Sequence, residues 1–179
     1  MMTVFGLGNP GAKYKGTRHN AGFETVERIA AQKDIRFRKR CFRLYRKAVF
    51  EDLVLIEPLT YMNSSGNIAP ECVKEGDTVI VVVDQMDLPP GKIRIRKGGS
   101  SAGHNGLKSM IANIGSDFIR VYIGTGRPDE GVKVIDHVLT RFSDEDRKKV
   151  DEAEEKAAEA ILRLYGGEKL ESVEQWANS

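Results

Sequence analysis

The sequence predicts an α/β fold: a single domain over residues 1–179, with a twisted, mostly parallel mixed sheet and helices on both faces. Three observations carry this prediction. Apolar, β-branched runs alternate along the chain with segments of 3.6-residue periodicity, the pattern of strands covered by helices. No linker, internal repeat or low-complexity stretch divides the 179 residues. A chain of this length buries roughly 70% of its unfolded surface, so one core forms without staples.

The elements follow in order. Thr3 to Gly8 reads as a buried strand, and a Gly/Pro-rich loop runs from it to His19. Phe23, Val26, Ile29 and Ala30 then recur at helical spacing. Phe42 to Phe50 and Leu53 to Glu57 form two short strands, with Glu51 and Asp52 at the turn. A short helix starts near Ser64 and ends before Gly76, and the β-branched run Thr78 to Asp84 is the strongest central strand. In Lys92 to Lys97, Lys92, Arg94 and Arg96 point one way and Ile93 and Ile95 the other, giving a strand with a basic face. Asn105 to Ile114 is helical, Phe118 to Gly124 extended, and Val132 to Phe142 has no decisive period. Ser143, with Asp146 three residues on, opens a helix to about Tyr165 whose acidic first turn suits the helix dipole, and a last short helix covers Lys169 to Ala177.

Composition narrows the function classes. With 40% hydrophobic and 30% charged residues the chain has the balance of an ordinary water-soluble protein, and it contains no apolar run long enough for a bilayer. Its first residues lack the charged and apolar regions of a signal peptide. Cys41 and Cys72 have neither metal-ligand spacing nor the density of a disulfide framework, so a cytoplasmic setting is expected. The net charge of +2 conceals a segregation: seven of the twelve residues from Arg36 to Lys47 are basic, whereas Asp144 to Glu159 carries eight acids against four bases. The basic run fits either a solvated surface or contact with nucleic acid.

The segment G-L-G-N-P-G, Gly6 to Gly11, satisfies the G-x-G-x-x-G pattern of a dinucleotide-binding turn. That turn needs a helix opening within the glycines and an acid about 20 residues on at a second strand's end. Here helical periodicity begins only near Asn20, and the acid position, around Glu24 to Glu27, falls inside the helix. No nucleotide cofactor is expected. The stretch instead sets Asn9 in a tight turn, and the loop after it delivers Thr17-Arg18-His19-Asn20. Asp84 ends the central strand; if the two strands are neighbours, His19 and Asp84 can meet. A carboxylate accepting one imidazole N–H fixes the tautomer and leaves the other nitrogen as a base. Asn20, Asn63 and Asn105 lie at helix starts, where an amide either caps the helix or holds a carbonyl, a water or an oxyanion.

Taken together, G-L-G-N-P-G-x-x-Y (Gly6 to Tyr14), T-R-H-N-A-G (Thr17 to Gly22), Y-M-N-S-S-G (Tyr61 to Gly66), D-x-x-D-L-P-P-G (Asp84 to Gly91) and G-H-N-G-L-K (Gly103 to Lys108) resemble bacterial-type peptidyl-tRNA hydrolase, in family order over nearly the whole chain. The resemblance implies a metal-independent, cofactor-free monomer that cleaves the ester between a peptide and the 3′-terminal ribose of tRNA. It implies His19 as the base that activates water, Asp84 as the group that orients it, and Asn9 as the discriminator of peptidyl from aminoacyl esters. Tyr14, Tyr61, Asn63 and Asn105 then line the site, with Met62 as a wall. For tRNA phosphates it points to Arg94, Arg96, Lys97 and Lys108. The family often has a second clamping arginine where this chain has Tyr122; Arg120, on the same strand face, and Arg127, in the next loop, are the candidates to replace it.

Two other readings remain open. G-S-S-A-G, Gly99 to Gly103, fits the G-x-S-x-G elbow of a serine esterase with Ser101 as nucleophile, Asp117 or Asp129 as acid and His137 as base. Arg36 to Lys47 with Arg94 and Arg96 also fits a non-catalytic RNA-binding module, which leaves the His, Asp and Asn set without a task. His104 reads as a structural hydrogen-bonding residue beside Asn105, and the three histidines show no metal-ligand spacing.

Overall fold

A computed structural model describes residues 1–179. One seven-stranded sheet organises the chain, in the order β2-β3-β4-β1-β5-β7-β6. The strands are β1 (Met2–Gly6), β2 (Arg38–Lys39), β3 (Tyr45–Phe50), β4 (Leu53–Pro58), β5 (Thr78–Gln85), β6 (Ile93–Lys97) and β7 (Ile119–Gly124). β4, β1, β5 and β7 run parallel through the middle, and β3 with β2 on one side and β6 on the other add antiparallel edges. The helices are α1 (Ala21–Gln32), α2 (Ala69–Cys72), α3 (Asn105–Ile114), α4 (Val134–Val138), α5 (Asp144–Tyr165) and α6 (Leu170–Ala177).

Two apolar layers explain why the sheet is covered on both sides. Val4, Ile80, Val82, Val121 and Ile123 face α1, α5 and α6. Phe5, Val81, Val83 and Phe118 face α2, α3 and the turn before α2. Successive strand residues thus feed opposite cores, as the two-residue period requires. Each such side chain, fully buried, stabilises the fold by about 1.5–3 kcal/mol. α5 is fastened to α1 by polar contacts as well: fully buried Glu154 accepts from Arg28 at 2.9 Å and from Arg147 at 3.1 Å.

The sequence expectations meet the structure with five differences. β1 spans Met2–Gly6 rather than Thr3 to Gly8, the chain leaving the sheet within the glycine turn. The edge strand β2 is unannounced, because two residues give no readable alternation. β3 begins at Tyr45 rather than Phe42, since residues 40–44 turn the hairpin and Phe42 adopts φ 62°. The helix expected near Ser64 is a 3-10 stretch, Met62–Ile68, running into α2. The segment without a decisive period holds only the five-residue α4.

After β1 the chain makes two 3-10 turns, Ala12–Tyr14 and Arg18–Asn20, before α1 opens at Ala21. No helix starts inside the glycine turn, so the amide cradle for a pyrophosphate is not formed there. The glycines serve close packing instead. A β-carbon on Gly22 would lie 2.3 Å from the Val82 carbonyl oxygen and 2.5 Å from the Leu7 nitrogen, and one on Gly6 would lie 2.3 Å from the Gly22 carbonyl oxygen. The start of α1 is thereby pressed against the ends of β1 and β5. Gly22→Ala is expected to lower stability by about 3 kcal/mol, because the obstructing atoms are backbone and cannot rotate away. A urea midpoint unchanged from the unsubstituted protein would contradict this.

Candidate active site

The carboxyl ends of β1 and β5 are adjacent, with Gly6 paired to Val82, and this edge is where open parallel sheets bind ligands. Just beyond β1, Asn20 clamps the backbone of Asn9 at two points: its Oδ1 accepts the Asn9 N–H at 2.8 Å, and its Nδ2 donates to the Asn9 carbonyl at 3.0 Å. Asn9 in turn accepts the Met62 N–H on its own Oδ1 at 2.7 Å. That bond fixes the Asn9 amide, whose Nδ2 is left as a donor without a protein acceptor. The chain reaches Met62 through Tyr61, which takes φ 65° and stays 55% exposed. With ψ 160° this is a conformation that glycine alone adopts freely, and it costs another residue about 1–3 kcal/mol. The Tyr61 ring meets that of Tyr14 edge-on, with centroids 6.3 Å apart.

The end of β5 brings Asp84 to two imidazoles. His19 Nδ1 lies 2.9 Å from both oxygens of the Asp84 carboxylate, and His104 Nε2 lies 2.9 Å from Oδ1. The protons can be assigned. His104 precedes α3 and caps it, its Nδ1 accepting the Gly106 and Leu107 N–H groups at 3.1 Å and 3.3 Å. With Nδ1 an acceptor, Nε2 carries the ring proton of neutral His104 and donates to Asp84. Ionised Asp84 only accepts, so His19 also donates from Nδ1, and His19 Nε2 is left as a base with no partner in the protein.

Burial lowers the His19 pKa, but the charge of Asp84 and its hydrogen bond outweigh it, so the net value is raised above the ordinary 6.5. For Asp84 burial raises the pKa, yet the paired His19 and His104 hold the carboxyl well below the usual range. Each shift stabilises the charged form of its group. The ligand atoms of His19, Asp84 and His104 lie within 4.8 Å of one another, close enough to pose the question of a metal. The capping bonds answer it: a cation on His104 Nε2 would displace the proton there and force the ring to imidazolate or break both caps. The donor set does not fit a resident metal.

The other predicted residues divide by location. Asn105 joins His19, Asp84, His104, Val134 and Ile135 around a cavity of about 360 Å³. Asn9 and Asn20 line a second cavity of about 460 Å³ that extends past Lys15 to Arg46 and Leu59. Asn63 is exposed at the start of the 3-10 stretch. Met62 is 3% exposed, its sulfur filling the space beside Gly106, so it is floor more than wall. Arg94, Arg96, Lys97 and Lys108 are exposed as expected, with Lys97 3.4 Å from Asp117. Arg94 and Arg96 pair with Tyr122 and Arg120 across the β6–β7 ladder.

Two sequence readings are corrected. Arg120 cannot serve as a replacement clamp: it is fully buried, stacked over Phe118 and hydrogen-bonded to the carbonyls of Gly99 and Ser100. Arg127 is the exposed one of the two, paired with Asp87. The esterase triad does not assemble either. His137 is bound to the Gly126 carbonyl at 2.9 Å, Asp117 belongs to Lys97, and the one non-glycine residue of the Gly99–Gly103 turn with positive φ is Ala102 rather than Ser101.

Three contacts were not legible in the sequence. Asn20, expected to cap a helix or to hold a carbonyl, a water or an oxyanion, makes no cap bond and instead clamps the Asn9 backbone. The reach of His104 to a carboxylate 20 residues earlier has no local signature. α4 supplies exposed Val134 and Ile135 to the His19 cavity from the segment without a readable period.

A family model described as peptidyl-tRNA hydrolase matches residues 3–179. Among curated proteins, the peptidyl-tRNA hydrolase of Dehalococcoides mccartyi is 45% identical over 176 residues, covering 92% of this chain and 93% of the relative. That of Bacillus subtilis is 41% identical over 172 residues, covering 89% of each. The crystal structure of peptidyl-tRNA hydrolase from Acinetobacter baumannii superposes with a TM-score of 0.90 at 31% identity, covering 100% of this chain and 95% of that one.

Proposed function

The chain belongs to the peptidyl-tRNA hydrolase family, and from that premise we infer that it hydrolyses the ester joining a peptide to the 3′ end of tRNA, releasing peptide and free tRNA. The observation that carries the chemistry is the His19 ring, held through Nδ1 by Asp84 with Nε2 facing no protein partner.

In this reading His19 Nε2 takes a proton from a water as its oxygen attacks the ester carbonyl, and Asp84 stabilises the imidazolium that forms. The carbonyl electrons move onto oxygen, where an amide donor such as the Asn105 side chain, on the same cavity, meets the developing charge. The tetrahedral carbon then expels the 3′ oxygen of the ribose, which takes the proton back from His19. An ester leaving group makes a covalent enzyme intermediate unnecessary. Asn9 offers Nδ2 to the carbonyl of the peptide bond next to the ester, a group that an aminoacyl ester lacks. Tyr14, Tyr61 and Asn63 flank this wall for the tRNA end, and Met62 supports it from below. In this reading the protein acts as a monomer where translation occurs, in the cytoplasm. No helix is long and apolar enough to cross a membrane.

The scheme uses neither metal nor cofactor, so purified protein in excess chelator is expected to release tRNA from peptidyl-tRNA at an undiminished rate. No turnover with or without chelator would refute the function; turnover only with added metal would refute the mechanism. Phosphate contacts from Arg94, Arg96, Lys97 and Lys108 predict salt-sensitive binding. The double variant Arg94→Gln, Arg96→Gln is expected to make the log–log salt dependence of KM shallower by about 2 with kcat unchanged; an identical slope would remove these residues from the interface.

A further inference from the structure

The basic hairpin at the β2–β3 edge has no part in the hydrolysis derived above. β2 and β3 pair through Arg38 with Lys47 and Lys39 with Arg46. Of the seven bases between Arg36 and Lys47, Arg43 is paired with Glu71 and Arg46 with Glu27 and Glu57. The remaining five, Arg36, Arg38, Lys39, Arg40 and Lys47, have no carboxylate within 4.0 Å. Arg36, Arg38, Arg40 and Lys47 line one open groove of about 770 Å³, in which Asp34 is the sole acid. Unneutralised cations gathered in a groove fit a polyanion, whereas charges spread over a solvated face are usually interleaved with acids.

Placement and an aromatic side chain narrow the partner to RNA. β3 runs antiparallel to β4 with Tyr45 opposite Pro58, so the turn before Tyr45 rises at the same sheet edge as Asn9, His19 and Asp84. From β1 to β2 there are three inter-strand steps, about 14 Å at 4.7–4.9 Å each. β6, with Arg94 and Arg96, lies three steps beyond β1 on the other side. The reacting centre is therefore flanked by a basic edge on each side. At the tip of the hairpin Phe42 is 96% exposed with φ 62°, between Arg40 and Arg43, and belongs to neither apolar core. A strained, unpacked aromatic amid free cations matches the pairing of stacking platforms with phosphate contacts that single-stranded nucleic acid uses.

We propose that the Arg36–Lys47 hairpin is a second RNA-binding surface of this protein: Arg36, Arg38, Arg40 and Lys47 engage backbone phosphates of the substrate, and Phe42 stacks on an unpaired base. The proposal rests on the peptidyl-tRNA reading for the identity of the RNA. It accounts for what that reading leaves over: the exposed ring at the active-site edge and the unpaired cations that run from it along the β2–β3 edge.

The test uses the triple variant Arg36→Gln, Arg38→Gln, Arg40→Gln, all exposed and outside the hydrolytic machinery, on two substrates. One is full-length peptidyl-tRNA; the other is the same peptide esterified to a 3′-terminal trinucleotide. On the full-length substrate KM at low salt is expected to rise on the order of tenfold with kcat unchanged, and the log–log salt slope to become shallower by about 2 to 3. The trinucleotide ester should be cleaved as by the unsubstituted protein. Phe42→Ala should raise KM about fivefold or more without altering the salt slope, since stacking releases no counterions. Unchanged KM and slope on full-length substrate, equal losses on both substrates, or a variant that merely dimerises through its uncovered edge overturn the surface. If the unsubstituted protein cleaves neither substrate, the functional reading fails, and salt-dependent binding of deacylated tRNA to protein and variant still decides the surface.

Discussion

His19→Ala is expected to lower kcat on peptidyl-tRNA by about 10² to 10⁴, the usual contribution of a positioned base, while substrate affinity stays near that of the unsubstituted protein. The reasoning is geometric. His19 is the residue whose ring is tied to a buried carboxylate by one nitrogen and open at the other. Its side chain is only 13% exposed, so it offers little area for holding the tRNA. The loss should therefore fall on turnover, and single-turnover rates measured with saturating protein give it directly. A variant that turns over near normally places the base elsewhere. The structure provides no second imidazole with a free nitrogen on that cavity, because both nitrogens of His104 are engaged.

Asp84→Asn is expected to cost about 10² or more in kcat and, more diagnostically, to move the pH profile. The base works only as neutral imidazole, so kcat/KM should rise with pH through one inflection above 6.5, where Asp84 has raised the His19 value. Removing the carboxylate charge leaves burial as the dominant influence, and burial favours the neutral ring. The inflection should then fall below that of the unsubstituted protein even as the plateau drops. The same linkage acts on stability. The His19 contribution is fully present below the unfolded imidazole value and is lost as pH rises through the folded one, whereas that of Asp84 is present above the unfolded carboxylate value and is lost as pH falls through the depressed one. A variant with lower kcat but an unmoved inflection would show Asp84 to be structural and leave the His19 pKa to another cause.

Much of the fold was legible because its signals are local. The strand Thr78–Gln85 is a run of β-branched residues; the Ser143 hydroxyl does accept the Asp146 N–H at 3.2 Å; and Ile93 and Ile95 are buried while Arg94 and Arg96 are exposed, as the alternation required. What failed was also local: β2 is too short for a period to register, and α4 lies in a segment whose apolar residues partly face solvent. Arg120 shows the limit more clearly. Alternation puts it on the face that Arg94 and Arg96 share, yet the loop at Gly99 and Ser100 folds over it and occupies its guanidinium. No pattern within β7 encodes that cover.

The sequence by itself singled out three groups and the backbone that presents each one: an asparagine in a glycine turn, a histidine ahead of a helix and an aspartate at a strand end; the histidine before α3 read only as structural. Only the tertiary structure decided how they act together. β1 and β5 are far apart in the chain, and their parallel pairing brings Asp84 within 2.9 Å of an imidazole 65 residues earlier and of another 20 residues later. The protonation of both rings follows from that contact and from the capping of α3. It is decided in three dimensions because a proton's position depends on which donors and acceptors meet it, and those partners come from separate elements.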